Sequence, residues 1–166
     1  EMKLIKLSVF AVFIFSKFVF AQQKPSDLGS LSEAIEIATT NIVEGGRYSG
    51  DYEIGREIEI TVEFRNKTDF IIDGVELELL EKDAWGDTVL TKTLVLTRPI
   101  PKMEILTAMW TFEDNEFLKN DEYDILRPFA KYKTGKVSFK IEKIVFDDGT
   151  KLIASKKQKK VLNKRL

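Results

Sequence analysis

Cysteine and histidine are both absent from the 166-residue chain. Their absence excludes Ser-His-Asp and Cys-His nucleophilic systems, and it removes the usual zinc ligand sets. It also excludes disulfides and a lipid-attached cysteine. The fold must therefore be held together by its hydrophobic core alone.

The sequence also gives little support for phosphate binding or for acid-base catalysis. No glycine-rich phosphate loop follows a strand pattern, so nucleotide binding has no support. A carboxylate pair of the glycosidase type is the one enzyme chemistry that the composition leaves open. Most acidic residues, however, alternate with apolar ones, which places them on the solvated face of a strand. We therefore expect a protein without enzyme activity.

The amino-terminal segment has the layout of a secretory signal peptide. Lys3 and Lys6 precede an apolar run over Leu7–Phe15, and Val19 and Ala21 provide medium and small residues at the two positions that signal peptidase inspects. This predicts a signal peptide over residues 1–21, cleaved near Ala21, and an exported protein that is periplasmic, secreted or at the cell surface. The alternative is a membrane anchor, but Lys17 interrupts the run well short of the ~20 apolar residues that span a bilayer.

Charge is divided unevenly along the chain. Residues 22–150 hold 16 basic and 26 acidic side chains, whereas residues 151–166 hold seven basic and no acidic ones. An acidic exported domain is not expected to bind nucleic acid. For the basic tail over 155–166 three roles stay open: contact with an anionic membrane or polymer, contact with its own acidic domain, or a solvated terminus.

The length allows one domain, and composition divides the rest of the chain. Residues 22–30 are polar with Pro and Gly and predict a flexible leader, followed by a single domain over 31–154. The segment 31–43 is ambiguous. Ser30 with Glu33 would form a capping box for a helix, whereas β-branched residues favour a first strand that ends at Gly45-Gly46. We favour the strand.

Alternation of apolar and polar residues then dominates the domain and predicts about seven short strands. Asp148-Gly149 predicts a tight hairpin turn, and a change of parity near Glu142-Lys143 predicts a β-bulge. The acidic stretch 113–124 shows no strand pattern and predicts a long connection with a helical turn. The fold class predicted is all-β, an antiparallel immunoglobulin-like β-sandwich. The inward rows include Ile58, Ile60, Val62, Phe64, then Val75, Leu77, Leu79, and later Leu106, Ala108, Trp110, Phe112.

The stretch 82–89, KDAWGDTV, resembles a ligand site but also resembles a turn. Asp83 and Asp87, together with Asp147 and Asp148, would coordinate calcium if the two hairpin tips met. The spacing lacks the D-x-D-x-D-G order of a calcium loop, and Asp and Gly are ordinary turn residues. We therefore expect neither a metal nor any other cofactor, with calcium as the alternative.

Three aromatic residues near predicted turns are candidates for contact with a partner. Trp85 at one tip, with Tyr48 and Tyr52 near the first turn, would form an exposed patch of the kind favoured in protein or glycan contacts. Alternatively, Trp85 folds back as a plug over the open end of the sandwich, and we favour the plug. Trp110, in the middle of an apolar strand, is expected in the core.

Four short motifs occur in a recognisable order. They are Asn66-Lys67-Thr68, Asp83-Ala84-Trp85-Gly86, Pro99-Ile100-Pro101-Lys102 and Asp148-Gly149-Thr150. Over roughly residues 52–153 the chain resembles the FxLYD-like immunoglobulin-like domains of unknown function in bacterial exported proteins. The resemblance implies a sandwich fold and a non-catalytic surface or envelope role, and it carries over no catalytic residue.

Together these observations predict a non-catalytic exported binding or scaffolding module. It would contact an envelope or extracellular protein through its loop ends or a sheet edge. The alternative is a calcium-dependent or glycan-binding accessory domain. The sequence indicates neither the partner nor the oligomeric state.

Overall fold

A computed structural model describes residues 24–114 and 121–154. The predicted signal peptide over 1–21 and the basic tail over 155–166 lie outside the described residues. Within the predicted leader, Pro25–Asp27 form a 3-10 helix in which Pro25 is buried. Among the described residues, none of the helices has the length and apolar character needed to cross a bilayer.

Seven strands and two α-helices make up the described domain. The helices are α1 (Leu31–Ala34) and α2 (Glu122–Tyr132), and the strands are β1 (Ile35–Ser49), β2 (Tyr52–Asn66), β3 (Ile72–Lys82), β4 (Thr88–Leu96), β5 (Ile105–Glu113), β6 (Lys136–Phe146) and β7 (Lys151–Ile153).

The strands form two sheets in which every pairing is antiparallel. One sheet has the order β1-β2-β5 and the other β4-β3-β6-β7. The first, second and fifth strands share one sheet and the third, sixth and seventh the other, as in immunoglobulin-like sandwiches. The fourth strand lies beside the third rather than beside the fifth, unlike the constant-type domain. The predicted all-β sandwich is confirmed.

Much of the core comes from the inward rows that alternation predicted in β2 and β3, whereas only Ala108 of the predicted β5 row is buried. The four apolar residues of β2 from Ile58 to Phe64 are fully buried, and so are Leu77 and Leu79 of β3. Each such side chain contributes ~1.5–3 kcal/mol by leaving water. The predicted bulge is also present, because the β3–β6 register shifts between Glu76 and Leu77, opposite Lys143 and Ile141.

The ambiguous segment 31–43 contains both a helix and a strand. Leu31–Ala34 form one helical turn, where Glu33 accepts hydrogen bonds from the Ser30 hydroxyl at 3.1 Å and from the Gly29 amide at 2.9 Å. The strand then begins at Ile35 and continues to Ser49. The predicted strand end at Gly45-Gly46 is wrong, because both glycines keep their ladder partners on β2.

The prediction for the connection after β5 is also wrong in part, since it contains the three-turn helix α2. Asp121 caps its N-terminus by accepting a hydrogen bond from the Asp124 amide at 3.0 Å. Lys133, in the left-handed conformation with φ 56°, ends it. The helix tolerates Pro128 in its interior because its apolar face is buried against the sandwich. That face consists of Tyr123, Leu126 and Ala130.

The sandwich has two distinct ends. At the helix end, α2 packs where β1, β3 and β5 finish and where β2, β4 and β6 start. At the opposite end Asn66 is fully buried, and its Nδ2 donates to the carbonyls of Phe70 at 2.7 Å, Ile100 at 3.2 Å and Pro101 at 3.0 Å. Its Oδ1 accepts from the Thr68 amide at 3.0 Å and hydroxyl at 2.8 Å. Asn66 therefore joins two of the motifs that the sequence presents separately.

Candidate functional site

The stretch 82–89 is a turn organised by Asp83. The Oδ1 of Asp83 accepts hydrogen bonds from the amides of Trp85 and Asp87, both at 2.9 Å. The Asp83 amide donates to the Asp87 carbonyl at 2.9 Å, and Gly86 takes the positive φ of +90° that the turn requires. The carboxylate of Asp83 thus satisfies the backbone of its own turn, as Asx turns do.

Trp85 projects from this turn into solvent, with 89% of its surface exposed. The favoured prediction, that Trp85 plugs the open end of the sandwich, is therefore wrong. The physical reason is that α2 packs its apolar face against that end of the sandwich, in the place where the indole was expected. The hairpin holds Trp85 beyond the sheet.

Trp110 is half-buried rather than enclosed in the core. Its ring meets Phe64 edge to face at 6.5 Å between centroids, and its Nε1 donates to the Val95 carbonyl at 3.4 Å. This contact links β5 of one sheet to β4 of the other, along one side of the sandwich. The indole therefore serves as a bridge between two edge strands.

The β1–β2 hairpin carries the two tyrosines that the sequence selects. Tyr52 is 80% exposed and Tyr48 is 63% exposed, on either side of the turn at Gly50. The Tyr48 ring lies over Gly46, where an added Cβ would approach its Oη and Cε2 to 2.9 Å. Gly46 therefore leaves room for the ring to lie against the strand.

A fourth exposed aromatic residue, which the sequence reasoning missed, lies on α2. Tyr132 is 66% exposed in the last turn of the helix, and Lys131 Nζ lies 5.3 Å from its ring centroid. The helix end consequently carries Tyr48, Tyr52, Trp85 and Tyr132. Tyr132 was missed because the sequence pattern predicted no helix or strand over residues 125–132.

The structure does not bring the four candidate calcium ligands together. Asp83 and Asp87 flank the turn beyond Lys82, whereas Asp147 and Asp148 follow Phe146 at the opposite end of the same sheet. The ten residue steps of β3 between these ends correspond to ~33 Å. Asp148 instead accepts a hydrogen bond from the Thr150 amide at 2.8 Å within its own turn. Among the described residues, no group of three or more acidic side chains is arranged to hold a metal ion.

A charged cluster fastens α2 to the three-stranded sheet. Glu44 Oε1 accepts hydrogen bonds from the Tyr123 hydroxyl at 2.8 Å and from Arg127 Nε at 3.1 Å. Arg56 of β2 lies 3.6 Å from the same oxygen. Burial acts to raise the pKa of Glu44, but the Tyr123 hydrogen bond and the Arg127 charge outweigh it and hold that pKa below its ordinary value. Burial and the bond to Glu44 raise the pKa of Tyr123 to about 12.

Glu81 is the second residue that sequence reasoning missed. It continues the inward row of Val75, Leu77 and Leu79 on β3 and is only 3% exposed. Among the described residues, its Oε2 has no hydrogen-bond partner. Burial raises the pKa of Glu81 from 4.5 to about 7. Its place as a charged residue in the otherwise apolar inward row of β3 is the sequence signal that would have identified Glu81.

Glu81 lines a cavity at the helix end. The cavity has a volume of about 340 Å³ and lies between α2, the β3–β4 hairpin and the connection from α2 to β6. Asp83 and Asp124 supply further carboxylates, and Val89, Ile125 and Pro128 supply apolar surface. Gly135 closes one side because its backbone approaches β3 closely: an added Cβ would lie 2.5 Å from the Lys82 carbonyl oxygen.

Comparison of the chain with protein-family models, with curated proteins and with solved structures finds no match. The resemblance to FxLYD-like domains stays a prediction. The function has to be argued from the exposed aromatic residues and the cavity themselves.

Proposed function

We propose that the protein is a non-catalytic exported binding module whose helix end contacts a protein of the envelope or the extracellular space. The observation that carries the proposal is the placement of aromatic residues. Three of the four tyrosines and one of the two tryptophans are exposed, and all four side chains lie at the helix end. Exposed aromatic residues are enriched at the centres of protein interfaces, where they contribute most of the binding energy.

The two hairpins present these rings on backbone that is already ordered. The Asp83 hydrogen bonds fix the turn before Trp85, and the β1–β2 ladder extends to the Ser49–Tyr52 pair beside Gly50. A ring on an ordered turn loses little conformational freedom on binding, because Tyr and Trp have only two side-chain torsions. This preorganisation supports a contact surface more than it supports a solvated loop.

A glycan is the second candidate ligand for the same surface. Trp85 and Tyr52 offer exposed planar rings of the kind that stack on sugars. The calcium-dependent form of this alternative loses its main argument, because the two aspartate pairs occupy opposite ends of the sheet. Binding through rings alone is the form that the geometry still supports.

Site-specific photocrosslinking tests the protein-partner proposal. A photoreactive phenylalanine analogue would replace Trp85 or Tyr52 in the exported protein, with Met103 as the matched control position. Met103 is 65% exposed in the turn beside Thr68, at the opposite end of the sandwich. We expect a discrete protein adduct from positions 85 and 52 and none from 103.

Two outcomes would contradict the proposal. One is the same adducts from all three positions, and the other is no adduct from any position in envelope or extracellular fractions. Quenching of Trp85 fluorescence by envelope polysaccharide, absent in Trp85→Phe, would instead support the glycan candidate.

A further inference from the structure

The cavity beside Glu81 differs from an ordinary surface groove because a buried acidic side chain lines it. Burying a carboxylate that has neither a cation nor a full set of hydrogen bonds is costly, so buried acids are normally paired. Glu81 is 97% buried, and its Oε2 has no hydrogen-bond partner among the described residues. The side chain therefore lacks the donor that such a position normally holds.

The charged side chains that line the cavity all have the same sign among the residues that the structure describes. Asp83 faces it from the β3–β4 hairpin and Asp124 from α2. The strand neighbours of Glu81 are apolar, Leu90 on β4 and Val137 on β6. A cation does occur at the same junction, where Lys92 donates to Glu122 at 2.5 Å, but neither residue lines the cavity. A ligand that fits this environment is positively charged and carries an apolar stem.

We propose that this cavity binds an ammonium or guanidinium group on a short apolar stem, with the Glu81 carboxylate as its acceptor. The charged head would pair with the Glu81 carboxylate at the wall of the cavity, while the stem would lie against Val89, Ile125 and Pro128. The volume is at the lower end of the ~300–1,000 Å³ range of small-molecule pockets. The same chemistry belongs to a free alkylamine and to a lysine or arginine side chain of a partner protein.

Binding of a cation is expected to depend on pH, because only ionised Glu81 forms the ion pair. Burial raises the pKa of Glu81 to about 7. About one-tenth of the sites are then ionised at about pH 6 and nine-tenths at about pH 8, so affinity should rise about tenfold between them. Asp83 and Asp124 are the other acidic groups that face the cavity among the described residues.

Titration of the full exported chain with n-butylammonium chloride, followed by amide chemical shifts, tests the proposal. n-Butanol is the matched neutral probe, and n-butyrate is the matched anion. We expect saturable butylammonium binding in the roughly millimolar range. The perturbed amides should belong to α2 and the β3–β4 hairpin, with about tenfold tighter binding at the higher pH and no binding of butyrate.

Two variants separate binding from folding. Glu81→Gln keeps the side-chain shape but should lose the preference for butylammonium over butanol, together with the pH dependence. Val89→Phe, at the exposed wall of the cavity, should block both probes while leaving Glu81 in place. Equal binding of butanol and butylammonium, no binding at either pH, or unchanged binding by folded Glu81→Gln would each overturn the proposal.

A capped peptide with one lysine between glycines distinguishes the two sources of the ligand. Competition between this peptide and butylammonium would indicate that the cavity accepts a partner's side chain. Binding of butylammonium alone would indicate a small-molecule site. The proposal does not depend on the aromatic surface, because photocrosslinking at position 85 and butylammonium titration report on different residues.

Discussion

Glu81 makes the stability of the folded domain depend on pH in a direction opposite to that of most acidic residues. Its pKa is raised from 4.5 to about 7 by burial, so the folded state retains the proton after the unfolded chain has lost it. Stability is therefore fully present below about pH 4.5, falls as pH rises towards 7, and is constant above that. At ~1.4 kcal/mol per pKa unit, the rise corresponds to about 3 kcal/mol lost at about pH 8.

Urea denaturation of Glu81→Gln and of the unchanged chain, each at about pH 4.5 and about pH 8, measures this effect. The substitution also changes packing, but that cost is the same at both pH values and cancels in the difference. We expect Glu81→Gln to gain about 3 kcal/mol relative to the unchanged chain on going from the lower to the higher pH.

Glu78→Gln, on the outer face of the same strand, is the control. It should show no such gain, because Glu78 is only half-buried. If the effect of Glu81→Gln is the same at both pH values, the reasoning about this carboxyl group is refuted.

Four further predictions concern the supports of the fold and the calcium alternative. Gly135→Ala should destabilise the fold by more than ~2 kcal/mol, because Gly135 has φ +79° and an added Cβ would meet the Lys82 carbonyl oxygen. Gly86→Ala, whose added Cβ would lie in open space, should cost only about 1 kcal/mol. Urea denaturation compares the two variants. Asn66→Ala should cost about 3 kcal/mol by leaving buried carbonyls unpaired, and a loss below 1 kcal/mol would contradict this. Tyr123→Phe should cost about 1.5 kcal/mol by removing the bond to Glu44, with calorimetry as the measurement. Millimolar calcium should leave the melting midpoint unchanged relative to EDTA, since the candidate ligands lie ~33 Å apart.

The sandwich was predictable because its strands have one face in the core and one in water. That arrangement makes apolar and polar residues alternate along the sequence. The alternation is clearest in β2 from Ile58 to Phe64 and in β3 from Val75 to Leu79. The β6 bulge was predictable for the same reason, because an extra residue changes the parity of the alternation. The hairpin signals at 82–89 and at Asp148-Gly149 also predicted two pairings, β3 with β4 and β6 with β7. Periodicity does not state how separate hairpins pair, so the pairing of β3 with β6 and of β2 with β5 came only from the structure.

Helix α2 was not predictable from local preference. Its sequence contains Pro128, which opposes a helix interior, and only Tyr123, Leu126 and Ala130 mark an apolar face. The acidic first turn after Asp121 is a helix-start signal, but it is too short a pattern to define the helix. An isolated helix of this length is marginal in water, so burial of that face and the Glu44 contacts stabilise it. The error for Trp85 follows from the same omission, because the plug prediction rested on an end of the sandwich without a helix.

The aromatic surface and the acidic cavity were predictable to different degrees. Tyr48, Tyr52 and Trp85 could be selected because they lie at turns, but exposure depends on what else covers the end of the sandwich. Glu81 could have been found as a charged residue in an inward row. The lack of a hydrogen-bond partner for its Oε2 among the described residues could not be predicted, because such partners come from elements distant in sequence.

Helix α2 is attached to the two sheets by different kinds of contact. This difference relates the cavity at the helix end to the exposed aromatic residues there. On the side of the three-stranded sheet, Glu44 has both a hydroxyl and guanidinium partners, and Lys133 Nζ donates to the Ile42 carbonyl at 3.0 Å. On the side of the four-stranded sheet, Lys92 of β4 donates to Glu122 at 2.5 Å, and the cavity lined by Glu81 lies between the helix and β3. A cation in that cavity would supply the missing donor, and it would do so directly beside the hairpin that presents Trp85. The position where Glu81 Oε2 has no partner among the described residues is thus adjacent to the hairpin that exposes Trp85.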